Sequence, residues 1–225
     1  MEILTKLLLS HLITDFILQP KKWVNHKFKH KGKSVFLYLH GLITGLFVLL
    51  IFWDIQIWPI AAFVALTHTL IDWTKMQFTD SPKAFFIDQA AHLLILVMCT
   101  LYLLDFSFIP EKLEISTEAL KITTAYIFIT APAGIIIGKL TERWKNHTVP
   151  SLKNAGQWIG ITERLLVLTL VLLQQYTAIG FIIAAKSILR TATSREEKQF
   201  AQSEYILIGT LLSFAFAIFT GLLIR

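Results

Sequence analysis

The chain has 225 residues, of which 55% are hydrophobic and only 16% are charged, and its mean hydropathy is +0.62. This composition excludes an ordinary soluble domain and predicts an integral membrane protein. The net charge of +6 is explained by basic loops on one side of a membrane, so the sequence predicts no nucleic-acid partner.

Apolar segments, taken in chain order, predict an all-α, polytopic transmembrane bundle of about eight helices. Five of them approach the roughly 20 residues that cross about 30 Å of hydrocarbon. The first, sixth and seventh are shorter or more polar, which a bundle interior tolerates. Pro132 predicts a kink in the fifth segment, because proline removes a backbone hydrogen bond. The eight segments are 3–19, 35–53, 57–73, 85–104, 119–140, 157–173, 177–190 and 205–224.

Basic residues alternate between the predicted loops and indicate the orientation of the chain. The loop at 21–33 carries six lysines, and most of the other basic residues fall in loops on the same side. The positive-inside rule places these loops in the cytoplasm and both termini outside. The basic loop 21–33 is also a candidate contact for anionic phospholipid.

An acidic segment, 105–118, is predicted to be the longest outer loop. It divides the chain into two four-helix halves, 1–104 and 119–225, each with its own group of polar residues. The oligomeric state stays open.

Histidine and aspartate recur in the first four predicted helices, in three of them as pairs four residues apart on one helix face. In the first and third predicted helices, which run toward the cytoplasm, His precedes Asp. In the fourth, which runs away from it, Asp precedes His. Every paired carboxylate is therefore expected nearer to the cytoplasm and every paired imidazole deeper. The predicted metal ligands are His11, Asp15, His40, His68, Asp72, Asp88 and His92.

Ionisable groups within hydrocarbon are costly, at about 2.5 kcal/mol or more each on insertion scales, so they usually pair inside a bundle and mark function. Imidazole and carboxylate ligands favour a divalent zinc, manganese or iron ion, and one or two ions could be enclosed. The alternative is an interhelical hydrogen-bond network with Lys75 as counter-ion to an aspartate.

Three motifs of the first half resemble the bacterial membrane-protein family catalogued as domain of unknown function 3307. This resemblance implies a bacterial cytoplasmic (inner) membrane but assigns no chemistry. A looser similarity, limited to the intramembrane His and Asp pairs, is to bacterial membrane-bound metal-dependent hydrolases, and it implies a hydrolase. The motifs are His11-x-x-x-Asp15-Phe16-x-x-Gln19, His68-x-x-x-Asp72-x-x-Lys75 and Asp88-Gln89-x-x-His92.

The second half carries charged residues toward the inner ends of its last three predicted helices, in segments that also resemble the C-terminal part of some members of the same family. Gly156 and Gly160 predict a close helix contact. The basic residues predict binding of a phosphate or lipid headgroup, and the alternative is an ion-pair network that closes the bundle. The predicted substrate-binding residues are Glu163, Arg164, Lys186, Arg190 and Glu204.

Three functions remain open for the first half. A hydrolase would use a metal-bound water of lowered pKa against a lipid or phosphoester, with Asp15, Asp72 and Asp88 as catalytic residues. A transporter would carry a metal ion or protons through the same groups. A lipid-binding or assembly subunit would show no turnover.

Overall fold

The structure, a computed structural model, describes residues 1–105, 116–144, 155–191 and 197–225, and within these the side chains of 105, 189–191 and 197–203 are not described. The described residues contain helices and turns and no strand, which confirms the all-α class. Their ten α-helices are α1 (Glu2–Phe16), α2 (Lys21–His30), α3 (Val35–Phe52), α4 (Trp58–Lys75), α5 (Pro82–Asp105), α6 (Thr117–Ile129), α7 (Ala131–Leu140), α8 (Ala155–Leu172), α9 (Tyr176–Thr191) and α10 (Glu197–Ile224).

Five of these helices, α3, α4, α5, α8 and α10, are long and apolar enough to cross a membrane. The pair α6 and α7, bent by 42°, adds a sixth if the two form one span. The described part of the chain thus has the helices of a multi-pass membrane protein. With 15 and 16 residues, α1 and α9 are shorter than a typical span. The total of eight spans and the outward position of both termini stay predictions.

The break between α6 and α7 lies at Thr130, two residues before Pro132. Thr130 has φ −79° and ψ −107°, outside the helical region. Proline cannot donate a backbone hydrogen bond, and its ring clashes with the preceding turn, so a helix usually kinks or ends there. The predicted kink is confirmed as a complete interruption of the helix.

The basic segment 21–33 is helical and not the predicted loop, since α2 continues into a short 3-10 turn at Lys31–Lys33. Aromatic packing holds α2 against α3, with the rings of Trp23 and Phe36 stacked at 5.2 Å. The sequence did not indicate this helix because lysines dominate its composition and its packing partners come from α3.

The described chain forms two compact units, Met1–Thr124 and Ala125–Arg225, and the division falls within α6. Most of the predicted outer loop 105–118 lies outside the described residues. In the first unit, α1 contacts α3 and α5, and α4 also contacts both, so the four helices form a ring. Apolar residues fill one end of this ring: Leu7, Val48, Phe52, Ile57, Ala61, Val64, Leu96, Cys99 and Leu103.

Close packing of α3 on α4 depends on two glycines of α3. A Cβ atom on Gly41 would lie 1.9 Å from Thr69 Oγ1, and one on Gly45 would lie 2.9 Å from the Ala61 carbonyl oxygen. Small residues allow helices to approach in this way without a hydrophobic driving force from water. The approach brings the polar residues of α3 and α4 into contact.

In the second unit, α8 packs against α7, α9 and α10. The predicted close contact at Gly156 and Gly160 is not found among the described residues. A Cβ on Gly156 would meet nothing within 4 Å, and one on Gly160 would lie 3.1 Å from Arg164 of its own helix. The interior instead consists of larger side chains: Val167, Val171, Ile179, Phe214 and Ala217.

Candidate metal centre

The ring of α1, α3, α4 and α5 brings all seven predicted metal ligands into one buried cluster. A spacing of four puts two of them on the inner face of α1, two on α4 and two on α5, and α3 adds one. No more than 9% of any of these side chains is exposed. The seven are His11, Asp15, His40, His68, Asp72, Asp88 and His92.

One carboxylate oxygen, Asp15 Oδ1, lies among three imidazole nitrogens. It is 3.1 Å from His68 Nε2, 3.3 Å from His40 Nε2 and 3.7 Å from His11 Nδ1. The two Nε2 atoms are themselves 2.9 Å apart. Asp15 Oδ1 is buried, and although His40 Nε2 and His68 Nε2 lie within hydrogen-bonding distance of it, none of its contacts with described residues has the geometry of a hydrogen bond.

These separations overlap those of atoms that bind one metal ion, and the 2.9 Å contact of His40 Nε2 with His68 Nε2 is itself a hydrogen bond. Nitrogen or oxygen ligands at about 2.0–2.2 Å from an ion, at tetrahedral or octahedral angles, lie about 2.8–3.6 Å from one another. Three of the four measured distances fall in this range, and the His11 distance exceeds it slightly. We call His11, Asp15, His40 and His68 the primary site.

Gln89 of α5 orients the primary site from outside. Its side-chain carbonyl accepts a hydrogen bond from His11 Nε2 at 3.2 Å, and its amide donates to Asp88 Oδ2 at 3.1 Å and to Asp15 Oδ2 at 3.5 Å. The network assigns the His11 proton to Nε2 and leaves the Nδ1 lone pair facing Asp15. The sequence motif contained Gln89, but its role depends on the contact of α1 with α5.

Two lysines partly neutralise the carboxylates. Lys75 Nζ lies 2.7 Å from Asp88 Oδ2, as the alternative of an interhelical hydrogen-bond network expects. Lys27 of α2 is only 2% exposed and forms an ion pair with Asp72 Oδ2. The sequence did not indicate a role for Lys27, because nothing in the segment with six lysines distinguishes the one whose side chain is buried.

The potential ligands form three overlapping trios, each with donor atoms within 4.8 Å of one another. His68 belongs to two of the trios, and Asp72 also belongs to two. The cluster is therefore continuous from α1 to α5. The trios are His11, Asp15 and His68; His40, His68 and Asp72; and Asp72, Asp88 and His92.

A small cavity adjoins the histidines. Its volume is about 10 Å³, close to the space that one water molecule needs. Apolar side chains from all four helices line most of its other walls, and the hydroxyl-bearing Ser10, Thr44 and Thr67 line the rest. Its lining includes His11, His68, His92, Leu7, Val48 and Leu96.

The charged residues of the second unit do not form one group among the described side chains. Arg164 is buried, and it donates to the carbonyl oxygens of Ile129 and Thr130, at the break between α6 and α7, and to Ser213 Oγ. These bonds favour the structural alternative, because the break interrupts the helical hydrogen bonds. The Thr130 carbonyl oxygen still accepts from Gly134 N at 3.3 Å, and the Ile129 carbonyl oxygen accepts from Arg164.

The other four predicted substrate-binding residues do not share one environment among the described side chains. Lys186 Nζ lies 2.6 Å from Glu163 Oε2, so these two form an ion pair. Glu204 is exposed, and the side chain of Arg190 lies outside the described residues. Headgroup binding by Arg164 and these four residues stays a prediction.

The fold and the buried cluster define an all-helical protein with several helices of membrane-spanning character and His/Asp groups that could bind metal. Residues 3–118 match the family described as "Protein of unknown function (DUF3307)". The chain belongs to this family, as the motifs predicted, and all seven potential ligands lie in the matched part. The charged residues of the second unit lie beyond it. The chain shows no significant similarity to a curated protein or to a solved structure. The hydrolase resemblance therefore stays a prediction.

Proposed function

We propose that this protein holds one divalent metal ion at the primary site, facing the cytoplasm, and hydrolyses a lipid or phosphoester substrate. The observation that carries the proposal is Asp15 Oδ1, a buried oxygen without a hydrogen bond that faces three imidazole nitrogens at 3.1–3.7 Å. A buried carboxylate oxygen in that position is costly unless a cation or a proton compensates it.

The donors suit zinc, manganese or iron. Three imidazole nitrogens and one carboxylate oxygen form a set of borderline hardness that all three ions accept. Cys99, the single cysteine, packs in the apolar end of the ring and is not part of any potential ligand group among the described residues. Zinc is the first ion to test, because nitrogen and oxygen donors are typical of it; with four protein donors, a catalytic water would take a fifth position.

The charges around the site support a role for bound hydroxide. Asp15, Asp72 and Asp88 carry three negative charges, and Lys27 and Lys75 return two positive ones. With neutral imidazoles, a divalent ion would leave the cluster with one positive charge, which one hydroxide would neutralise. Held by the primary site, the ion would supply this chemistry near neutral pH by lowering the pKa of a water.

The chain's own residues would then divide the remaining tasks. Asp15 serves as ligand, and Asp72 and Asp88 are the carboxylates placed to accept a proton. Lys27 and Lys75 provide positive charge for an anionic substrate group. The small cavity next to the histidines has room for about one water molecule.

We further propose a location in the bacterial cytoplasmic membrane, with α2 in contact with anionic phospholipid. Five lysines are exposed in α2 and the turn that follows it. No acidic residue occurs between Asp15 and Asp54 to offset their charge. Basic residues at the membrane surface attract anionic headgroups with about 1 kcal/mol each. The exposed lysines are Lys21, Lys22, Lys29, Lys31 and Lys33.

Elemental analysis of the purified protein tests the proposal first. We expect one zinc, manganese or iron ion per chain, and a loss of that ion in His68→Ala. If metal is present, the wild type should release a product from a lipid extract, whereas Asp72→Ala should retain the fold and lose that release. Absence of stoichiometric metal after expression with supplied metal would overturn the metal site and the hydrolase together.

Metal transport is a second candidate, favoured by the overlap of the three trios. Because His68 and Asp72 are each shared between neighbouring trios, an ion could move along the cluster by exchanging one ligand at a time. Proteoliposomes loaded with a zinc indicator would distinguish the candidates. Zinc flux that requires Asp72, without product release from lipid, would replace the hydrolase by a transporter.

A further inference from the structure

A second set of donors lies beside the primary site and takes no part in it. Asp72, Asp88 and His92 each offer a donor atom within 4.8 Å of the other two. All three residues are at most 5% exposed. We call them the second trio.

Two atoms of the second trio are buried without a partner among the described residues: Asp88 Oδ1 and His92 Nε2. His92 Nδ1 lies 2.8 Å from the carbonyl oxygen of Asp88 and donates to it. That hydrogen bond assigns the imidazole proton to Nδ1, so Nε2 carries a lone pair. A ligating histidine commonly shows this arrangement, because the backbone acceptor fixes the ring for a cation at the other nitrogen.

The two aspartates of the second trio already have cationic neighbours. Lys27 pairs with Oδ2 of Asp72, and Lys75 pairs with Oδ2 of Asp88. In Asp88 the other oxygen, Oδ1, is left without a bond. The two ammonium groups thus supply the positive charge that a metal ion would otherwise supply. Asp88 Oδ1 and His92 Nε2 remain without a hydrogen bond to any described residue.

We propose that Asp72, Asp88 and His92 form a second divalent-cation site that the ammonium groups of Lys27 and Lys75 keep closed. The inference rests on the proposed function, because it takes the primary site as occupied by one ion. With both lysines in place, a second divalent ion would raise the net charge of a buried cluster from one to three positive charges. Such a charge is strongly unfavourable in a medium of low dielectric constant.

Lys75 is the lysine whose removal opens the site most simply. Its side chain is 19% exposed, whereas that of Lys27, in α2, is only 3% exposed. Replacing Lys75 by methionine keeps most of the apolar stem and removes the charge. Among the described residues, it also leaves Asp88 Oδ2 with only the hydrogen bond from Gln89.

The experiment measures zinc per chain after equilibration with excess zinc and removal of free metal. Wild type is expected to retain one zinc ion and Lys75→Met two, with second-ion affinity raised roughly tenfold or more. Lys83→Met, an exposed lysine at the start of α5, is the matched control and should retain one. Manganese loading adds a spectroscopic readout, because two adjacent manganese ions give an exchange-coupled resonance spectrum.

Zinc can also bind to histidines of a damaged fold, so the loss of the second ion on adding His92→Ala identifies the site of the gain. If Lys75→Met is not recovered folded, Lys27→Met replaces it with the same expectation. Adding His92→Ala to the lysine variant should return the count to one. One ion in both wild type and lysine variant, or two in wild type, overturns the inference while leaving the primary site intact. Wild type without any bound metal overturns both proposals.

Discussion

Asp15→Asn tests the primary site with the smallest possible change of shape. The substitution keeps the volume of the side chain and removes the charge of an oxygen that faces His68, His40 and His11 at 3.1, 3.3 and 3.7 Å. Loss of an outer-shell partner typically lowers metal affinity 10- to 100-fold. A direct ligand is therefore expected to cost about 100-fold or more.

The assay is thermal or chemical unfolding in detergent, with and without zinc. At an ion concentration 100-fold above the wild-type Kd, binding stabilises the folded protein by about 2.7 kcal/mol. For a variant with 100-fold weaker binding, that concentration equals the Kd and the stabilisation falls to about 0.4 kcal/mol. Glu118→Gln, an exposed carboxylate on α6, is the matched control and should behave as wild type. Equal zinc-dependent stabilisation in Asp15→Asn and wild type would refute the assignment.

Three further substitutions test the supporting structure. Gln89→Leu removes the hydrogen bond to His11 and should weaken zinc binding about 10- to 100-fold in a competition titration, with one ion still bound at saturation. Unchanged zinc affinity would exclude an orienting role of Gln89. Gly41→Leu forces α3 away from α4 and should destabilise the fold by about 1–3 kcal/mol in denaturant unfolding. Gly138→Leu, with open space around it among the described residues, is the control and should not destabilise it. Equal effects of the two variants would contradict the close contact of α3 with α4. Arg164→Met removes the donor of the Ile129 carbonyl group at the α6–α7 break, while the Thr130 carbonyl group keeps that of Gly134, and it should cost about 2 kcal/mol in denaturant unfolding. Wild-type stability combined with lost lipid binding would instead support a headgroup role.

Much of the fold follows from hydropathy because a membrane requires long apolar helices with satisfied backbones. The helices α3, α4, α5, α8 and α10 correspond closely to predicted spans. The basic helix α2 escaped prediction, since its lysine-rich composition resembles that of a solvated loop. Its helical state depends on Trp23 and His26 packing against Phe36, a contact that local sequence does not reveal.

The membership of the cluster could be predicted because ionisable residues inside apolar helices are rare and their periodicity shows which face they share. The pairing within it could not. His11 and Asp15 suggest a local pair, yet the nearest imidazole to Asp15 Oδ1 is that of His68 from α4. The partners of Lys27 and Gln89 likewise come from other helices, so only the packed structure identifies them.

The central claim is that imidazoles and a carboxylate of the first unit bind one metal ion, and X-ray absorption spectroscopy of zinc-loaded protein tests it most directly. We expect nitrogen and oxygen ligands at about 2.0–2.2 Å, with the multiple scattering of more than one imidazole. The imidazole contribution should decrease in His68→Ala. Zinc that dialysis removes from the wild type, or a first shell without imidazole, would contradict the account.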